Sequence, residues 1–177
     1  MSPRDSLPLR PRHPASLNEE ELLRECRKGR SRSSGPGGQH RNKVETKVTL
    51  THTPTGVEAC AGERRSVREN MPVALRRLRL ALASEIRLSV PIGEARSELW
   101  LRRTPRGRIV CALDHWDFPS MLAEALDMIE ACGLDPRKAA LRLGVTPTQL
   151  IRLVREHPPA FESWNARRLE AGEHALH

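Results

Sequence analysis

The sequence predicts an α+β fold: a small mixed sheet with one long amphipathic helix and an extended Gly-Gly-Gln loop, followed by an α-helical, helix-turn-helix-like C-terminal region. Three observations predict it. Val44, Thr46, Val48 and Leu50 alternate with Glu45, Lys47, Thr49 and Thr51, the period of a half-buried strand. Val67, Met71, Ala74, Leu75, Leu78, Leu82 and Ile86 recur at helical spacing. Beyond Phe118 the helical period continues to the end of the chain, broken only at caps and first-turn prolines.

In chain order, residues 1–15 hold Pro3, Pro8, Pro11 and Pro14 among charges and read as a flexible arm. Ser16 or Asn18 caps a helix with Glu19, Glu20 and Glu21 in its first turn, Arg27 and Lys28 near its end, and Gly29 as its stop. Residues 30–42 are rich in Gly, Ser and Pro and read as a loop. The alternating strand follows, then a turn at Thr53-Pro54-Thr55-Gly56 and a short strand from Val57 to Cys60. The long helix runs from Ser66 to about Leu88, with Arg68, Arg76, Arg77, Arg79 and Arg87 mostly on its other faces. Residues 97–103 and 108–113 flank Thr104-Pro105-Arg106-Gly107 and predict a β-hairpin. Helices are then expected from Phe118 to Gly133, from Asp135-Pro136 to Gly144, from Thr146-Pro147, and near Phe161 to Leu169. The expected domains are therefore the arm, residues 16–115, and a helical domain over 116–177.

The 177 residues carry a formal charge of +8, distributed as +9 over residues 1–123 and −1 over 124–177. Such a basic excess points to a polyanionic partner, with nucleic acid ahead of anionic lipid. No run of about 18 apolar residues spans a bilayer, and Met1–Pro14 lacks an apolar signal core, so a cytoplasmic protein without membrane contact is expected. Cys26, Cys60, Cys111 and Cys132 are scattered and read as reduced thiols, and the histidines do not cluster, so no structural metal is expected. Trp100, Trp116 and Trp164 read as core.

Glycine at positions 35, 37 and 38 lets a backbone approach a ligand without a Cβ in the way. The polar group this loop delivers is Gln39, a neutral amide that is neither a strong base nor a nucleophile. Chemistry here must work by positioning and hydrogen bonding, which suits attack of water on an activated ester, with the Gly38 and Gln39 N–H groups near the developing oxyanion. Arg30, Arg32, His40, Arg41, Lys43 and Lys47 form a basic collar able to hold RNA phosphates. By itself the tripeptide fits a charged glycine loop without chemistry better; the wider context reverses that preference.

Ser33-Ser34-Gly35-Pro36-Gly37-Gly38-Gln39, then Asn42-Lys43-Val44-Glu45-Thr46, Thr55-Gly56-Val57 and Arg65-Ser66, resembles the catalytic domain of class I peptide chain release factors. The likeness covers roughly residues 18–90. It implies that Gly37, Gly38 and Gln39 enter the ribosomal peptidyl transferase centre, where the Gln39 backbone amide stabilises the transition state and its side chain orients water. The implied partners are the large-subunit rRNA and peptidyl-tRNA, with a glutamine methyltransferase as a candidate modifier of Gln39 and with no metal or organic cofactor, and the chain is expected to act as a monomer. Full-length members carry a codon-reading domain for which this chain has no room, so the closest kind is the short rescue hydrolase acting without a codon. The near-neutral tail departs from the basic tail of that kind. Instead, Ala139 to Leu150 resembles a helix-turn-helix, with plain helical packing as the equal alternative. Two other functions stay open: a non-catalytic ribosome binder of the same fold, and a helix-turn-helix nucleic-acid regulator.

Overall fold

A computed structural model of the chain describes residues 12–31 and 46–177. Two compact units are present, one over Pro14–Ile86 and one that holds Arg87–His177.

In the first unit, Pro14–Ser16 forms a 3-10 turn and Glu19–Arg24 the helix α1. A reciprocal cap starts α1: the Glu21 N–H donates to Asn18 Oδ1 at 2.9 Å, and the Asn18 N–H donates to Glu21 Oε2 at 3.1 Å. The helix was expected to continue through Arg27 and Lys28 to Gly29. It ends instead at Arg24, and Cys26–Ser31 is a strand, β1. The reason is non-local. β1 pairs along its whole length with β2 (Lys47–His52), from Cys26 opposite His52 to Ser31 opposite Lys47. β3 (Glu58–Ala61) pairs with the other side of β2, giving an antiparallel sheet of order β1-β2-β3.

The alternation of β2 is as the sequence predicts: Val48, Leu50 and His52 are buried while Lys47, Thr49 and Thr51 are less covered. α2 (Val67–Glu85) starts at Ser66, whose side chain accepts from the Glu69 N–H at 3.2 Å, and lies on β2 and β3. Its Ala74, Leu75, Leu78 and Leu82 are fully buried; each leucine so removed from water contributes about 2 kcal/mol. Arg79, expected on a solvent-facing side, is also buried, and its Nε donates to the Ala15 carbonyl at 3.0 Å. Its aliphatic stem covers core surface while the guanidinium satisfies the 3-10 turn.

In the second unit, the expected hairpin over 97–113 is not formed. Glu98–Arg103 is a helix, α3, capped by Ser97 and followed by a 3-10 turn at Pro105–Gly107, and no strand occurs from Arg108 to Leu113. Trp100 decides this: it is fully buried and its indole N–H donates to the Leu143 carbonyl at 2.9 Å. The Leu and Trp content of the segment serves a helix-to-helix contact rather than a ladder.

α4 (Phe118–Ala131) is buried on every side from Phe118 to Ile129. Its two buried acids have assigned work. Glu124 accepts from the Ser97 N–H at 2.8 Å and the Ser97 hydroxyl at 2.5 Å, and Asp127 accepts from the Leu88 N–H at 3.0 Å. Together they hold the irregular segment 88–97. α5 (Pro136–Leu143), α6 (Pro147–Arg155) and α7 (Pro158–Glu170) complete the unit, α7 starting at Pro158 rather than near Phe161. Trp164 is core, its Nε1 donating to the Leu134 carbonyl at 3.2 Å. Trp116 is not core: it is 44% exposed, because it lies in the irregular stretch between the turn and α4. Among the described residues no helix is long and apolar enough to cross a membrane.

Candidate functional site

The residues expected to do chemistry, Gly37, Gly38 and Gln39, lie outside the described residues, as do Arg32, His40, Arg41 and Lys43 of the expected collar. What the structure describes is the frame from which that segment departs. β1 ends at Ser31 and β2 begins at Lys47, and these two residues face each other across the ladder. The chain between them therefore starts and finishes at neighbouring points at one end of the sheet.

Arg30 and Lys47, the described members of the collar, stand at this end of the sheet on opposite faces. Directly opposed residues of an antiparallel pair project to the same side, and successive residues alternate. Arg30 is paired with buried Val48 and so projects on the α2 side; Lys47 is paired with Ser31 and projects on the open side. Arg27, Lys28 and Arg30 are all exposed along β1, so three basic residues lie on the strand that leads to the frame. Lys28 and Arg30 share the α2 side, and Arg27 takes the other.

The frame is fixed by a residue that sequence reasoning missed. Asn70 is fully buried in the first turns of α2. Its amide donates to the Thr46 carbonyl at 2.7 Å and to the Arg64 carbonyl at 3.1 Å, and its oxygen accepts from the Arg64 N–H at 2.9 Å. Thr46 immediately precedes β2, so one side chain ties α2, the entry to β2 and the 62–66 connection together. The signal was present: Asn70 falls four residues before Ala74, on the stripe that faces the sheet, where an amide must have partners.

The far end of the β1–β2 pair is held by His52, which is 2% exposed. Its Nε2 is 2.9 Å from Glu25 Oε2 and its Nδ1 is 2.7 Å from Thr55 Oγ1. Because a carboxylate only accepts, Nε2 carries a proton, and in the neutral ring Nδ1 accepts from the threonine hydroxyl. On α2, Arg77 donates to the Cys60 carbonyl at 2.8 Å and pairs with Glu63, and that hydrogen bond holds the Glu63 carboxyl below its usual range. Arg68 remains exposed.

The helix-turn-helix-like stretch is α5, a left-handed turn at Gly144 (φ +68°) and α6. Leu143, Leu150 and Val154 are buried and Val145 is half-buried, as both the packing and the helix-turn-helix readings require. Gln149, near the start of α6, is turned inward: its Oε1 accepts from the Ile109 N–H at 2.7 Å and its Nε2 donates to the Gly107 carbonyl at 3.1 Å. A base-reading helix needs such a side chain outside. Thr148, Arg152 and Arg155 form its exposed side. Among the described residues no three His, Cys, Asp or Glu side chains group as metal ligands would.

Residues 18–99 match the RF-1 domain. The chain is similar to peptide chain release factor 1 of Acidiphilium cryptum (strain JF-5), 42% identical over 64 residues, which are 36% of this chain and 18% of that relative. It is also similar to peptide chain release factor 1 of Xylella fastidiosa (strain 9a5c), 34% identical over 112 residues, covering 54% of this chain and 31% of that relative. The chain thus contains a region similar to the RF-1 domain and to part of these two release factors. It spans less than a third of the length of these relatives. No solved structure matches.

Proposed function

We propose that the protein hydrolyses the ester of peptidyl-tRNA on the ribosome without reading a codon, as a release or rescue factor. The observation that carries the reading is that Gly37-Gly38-Gln39 falls inside the segment matched by the RF-1 domain. The described frame supports it: a sheet edge lined by Arg27, Lys28 and Arg30, with the segment's two ends opposed at Ser31 and Lys47. In this reading the Gly38 and Gln39 N–H groups stabilise the oxyanion, the Gln39 side chain orients water, and Arg30, Arg32, His40, Arg41, Lys43 and Lys47 hold RNA phosphates. Water attacks the ester carbonyl, the bond to the tRNA 3′-terminal ribose oxygen breaks, and that oxygen leaves with a proton. Partners would be rRNA and peptidyl-tRNA in the cytoplasm, with Gln39 open to N-methylation.

The experiment is release of labelled peptide from ribosomes carrying P-site peptidyl-tRNA on truncated, sense-codon and stop-codon messages. The wild type should release on the truncated message, and Gln39→Ala should fall by at least about a hundredfold, the cost of losing a group positioned in the transition state. Full release by Gln39→Ala sinks the proposal. Release confined to the stop-codon complex removes codon independence while leaving hydrolysis intact.

A further inference from the structure

The near-neutral sum of the C-terminal region conceals a segregation of charge. Residues 136–155 hold Arg137, Lys138, Arg142, Arg152 and Arg155 and no acid, while every acid of residues 124–177 lies outside this stretch. Most of those acids are engaged elsewhere: Glu124 and Asp127 hold the 88–97 segment, Glu130 pairs with Arg167, and Asp135 caps α5. The stretch is the helix pair α5 and α6, which therefore presents cations that no acid within the pair offsets.

The inner sides of the pair are fixed. Ala139, Ala140 and Leu143 of α5 and Leu150, Leu153 and Val154 of α6 are buried, and α4 packs on both helices. That leaves one outer stripe on α6. Thr148, Arg152 and Arg155 stand at i, i+4 and i+7 and are all exposed. Among the described residues Arg152 has no hydrogen-bond or ion-pair partner. The Arg155 guanidinium lies 5.3 Å from the centre of the Phe161 ring, a contact made through its face that leaves its N–H edge to an anion. Beside the start of α6 stands a second basic element. Gln149 accepts from the Ile109 N–H at 2.7 Å and donates to the Gly107 carbonyl at 3.1 Å, so Arg108, which is exposed, sits between two residues anchored to α6.

We infer that this helix pair is a contact for double-stranded DNA, with α6 in the major groove, Arg152 and Arg155 holding phosphates, and Arg108 holding the backbone beside the start of the helix. Charge selects a polyanion and shape selects the duplex. The nine residues of α6 make a rod about 13 Å long, and the major groove of B-form DNA, about 12 Å wide, admits a helix, whereas that of A-form RNA is too narrow. With Gln149 turned inward, the amide best suited to a base edge is absent from the outer stripe, so the contact is to phosphates and carries little sequence preference. The inference does not rest on hydrolysis at Gln39, and Gln39→Ala should bind DNA as the wild type does.

The test is fluorescence anisotropy of a short labelled DNA duplex of mixed sequence, titrated with the full chain across a range of salt, beside the same sequence as an RNA duplex. The DNA duplex should bind more tightly than the RNA duplex. Arg152→Gln combined with Arg155→Gln should weaken DNA binding about tenfold and flatten the slope of log K against log salt by about 1.8, since each lost phosphate contact removes about 0.9. Arg152→Lys with Arg155→Lys should restore most of the loss, which separates charge from packing on Phe161. Arg65→Gln with Arg68→Gln, two exposed positions in the other unit, removes the same charge and should cost less. Should the Arg155 variants lose helical circular dichroism, Arg152→Gln alone carries the comparison. Equal losses in the two glutamine pairs would mean that only net charge is sensed. That result, an RNA duplex bound as tightly as DNA, or no binding at all overturns the inference.

Discussion

Asn70 shows how much one side chain can fix. All three of its hydrogen bonds are to backbone groups, the one to Thr46 buried and the two to Arg64 part-buried, so an apolar replacement removes a partner from each. Asn70→Leu, close in size, should lower stability by about 3 kcal/mol, read as a reduced urea midpoint at unchanged slope. A loss below about 0.5 kcal/mol would mean that the bonds are replaced by solvent. A second residue sets a pH dependence. Burial pushes the His157 imidazole below its ordinary value. Its neutral form is then favoured in the fold, so its contribution is complete above the unfolded value of about 6.5 and is lost as pH falls below it, where the unfolded chain takes up the proton first. The melting temperature should drop between pH 7.5 and 5.5, and His157→Asn should flatten that drop.

At the scale of elements, what was legible depended on whether the information was local. Caps and first-turn prolines announced α4 to α7, and the period-2 pattern announced β2, because each depends on neighbours in sequence. Asp135 is the clearest cap: it accepts from the Arg137 N–H at 2.8 Å and the Lys138 N–H at 3.2 Å, and these backbone bonds, the Lys138 one foremost, hold its carboxyl below the usual range. Asp135→Ala should cost about 1 kcal/mol at neutral pH. Because the folded value is depressed, the cap acts in full above the unfolded value of about 3.9 and fades as pH falls through the folded one; variant and wild type should converge in acid. By contrast β1 carries no alternation, since Arg27 to Ser31 are exposed on both faces, and only pairing with residues about 20 positions away makes it a strand. α3 was read as a strand because Leu, Trp and Ile suit either element; burial of Trp100 against Leu143 chose between them.

For the whole molecule, two cores follow from the two units: Leu50, Leu75, Leu78 and Leu82 in one, Leu122, Leu143, Leu150 and Val154 in the other. Calorimetry should show unfolding that departs from a single two-state transition. Leu78→Ala and Leu143→Ala should each cost about 3 kcal/mol and lower different transitions; one transition, moved equally by both variants, would refute two independent cores. The candidate site was legible as a string of residues, Gly37-Gly38-Gln39 in its basic surroundings, because that signal is compositional. Its supports, Asn70 and the opposition of Ser31 to Lys47, were not, because they arise from pairing across the fold.

That opposition frees the connecting segment from the register of the sheet. With both ends pinned at adjacent ladder positions, residues added after Ser31 and before Thr46 need displace nothing in β1, β2 or α2. Doubling the length of the connection costs only about 0.6 kcal/mol of closure entropy. The number of residues between these two positions can therefore change among descendants of this chain at little cost to the stability of the sheet.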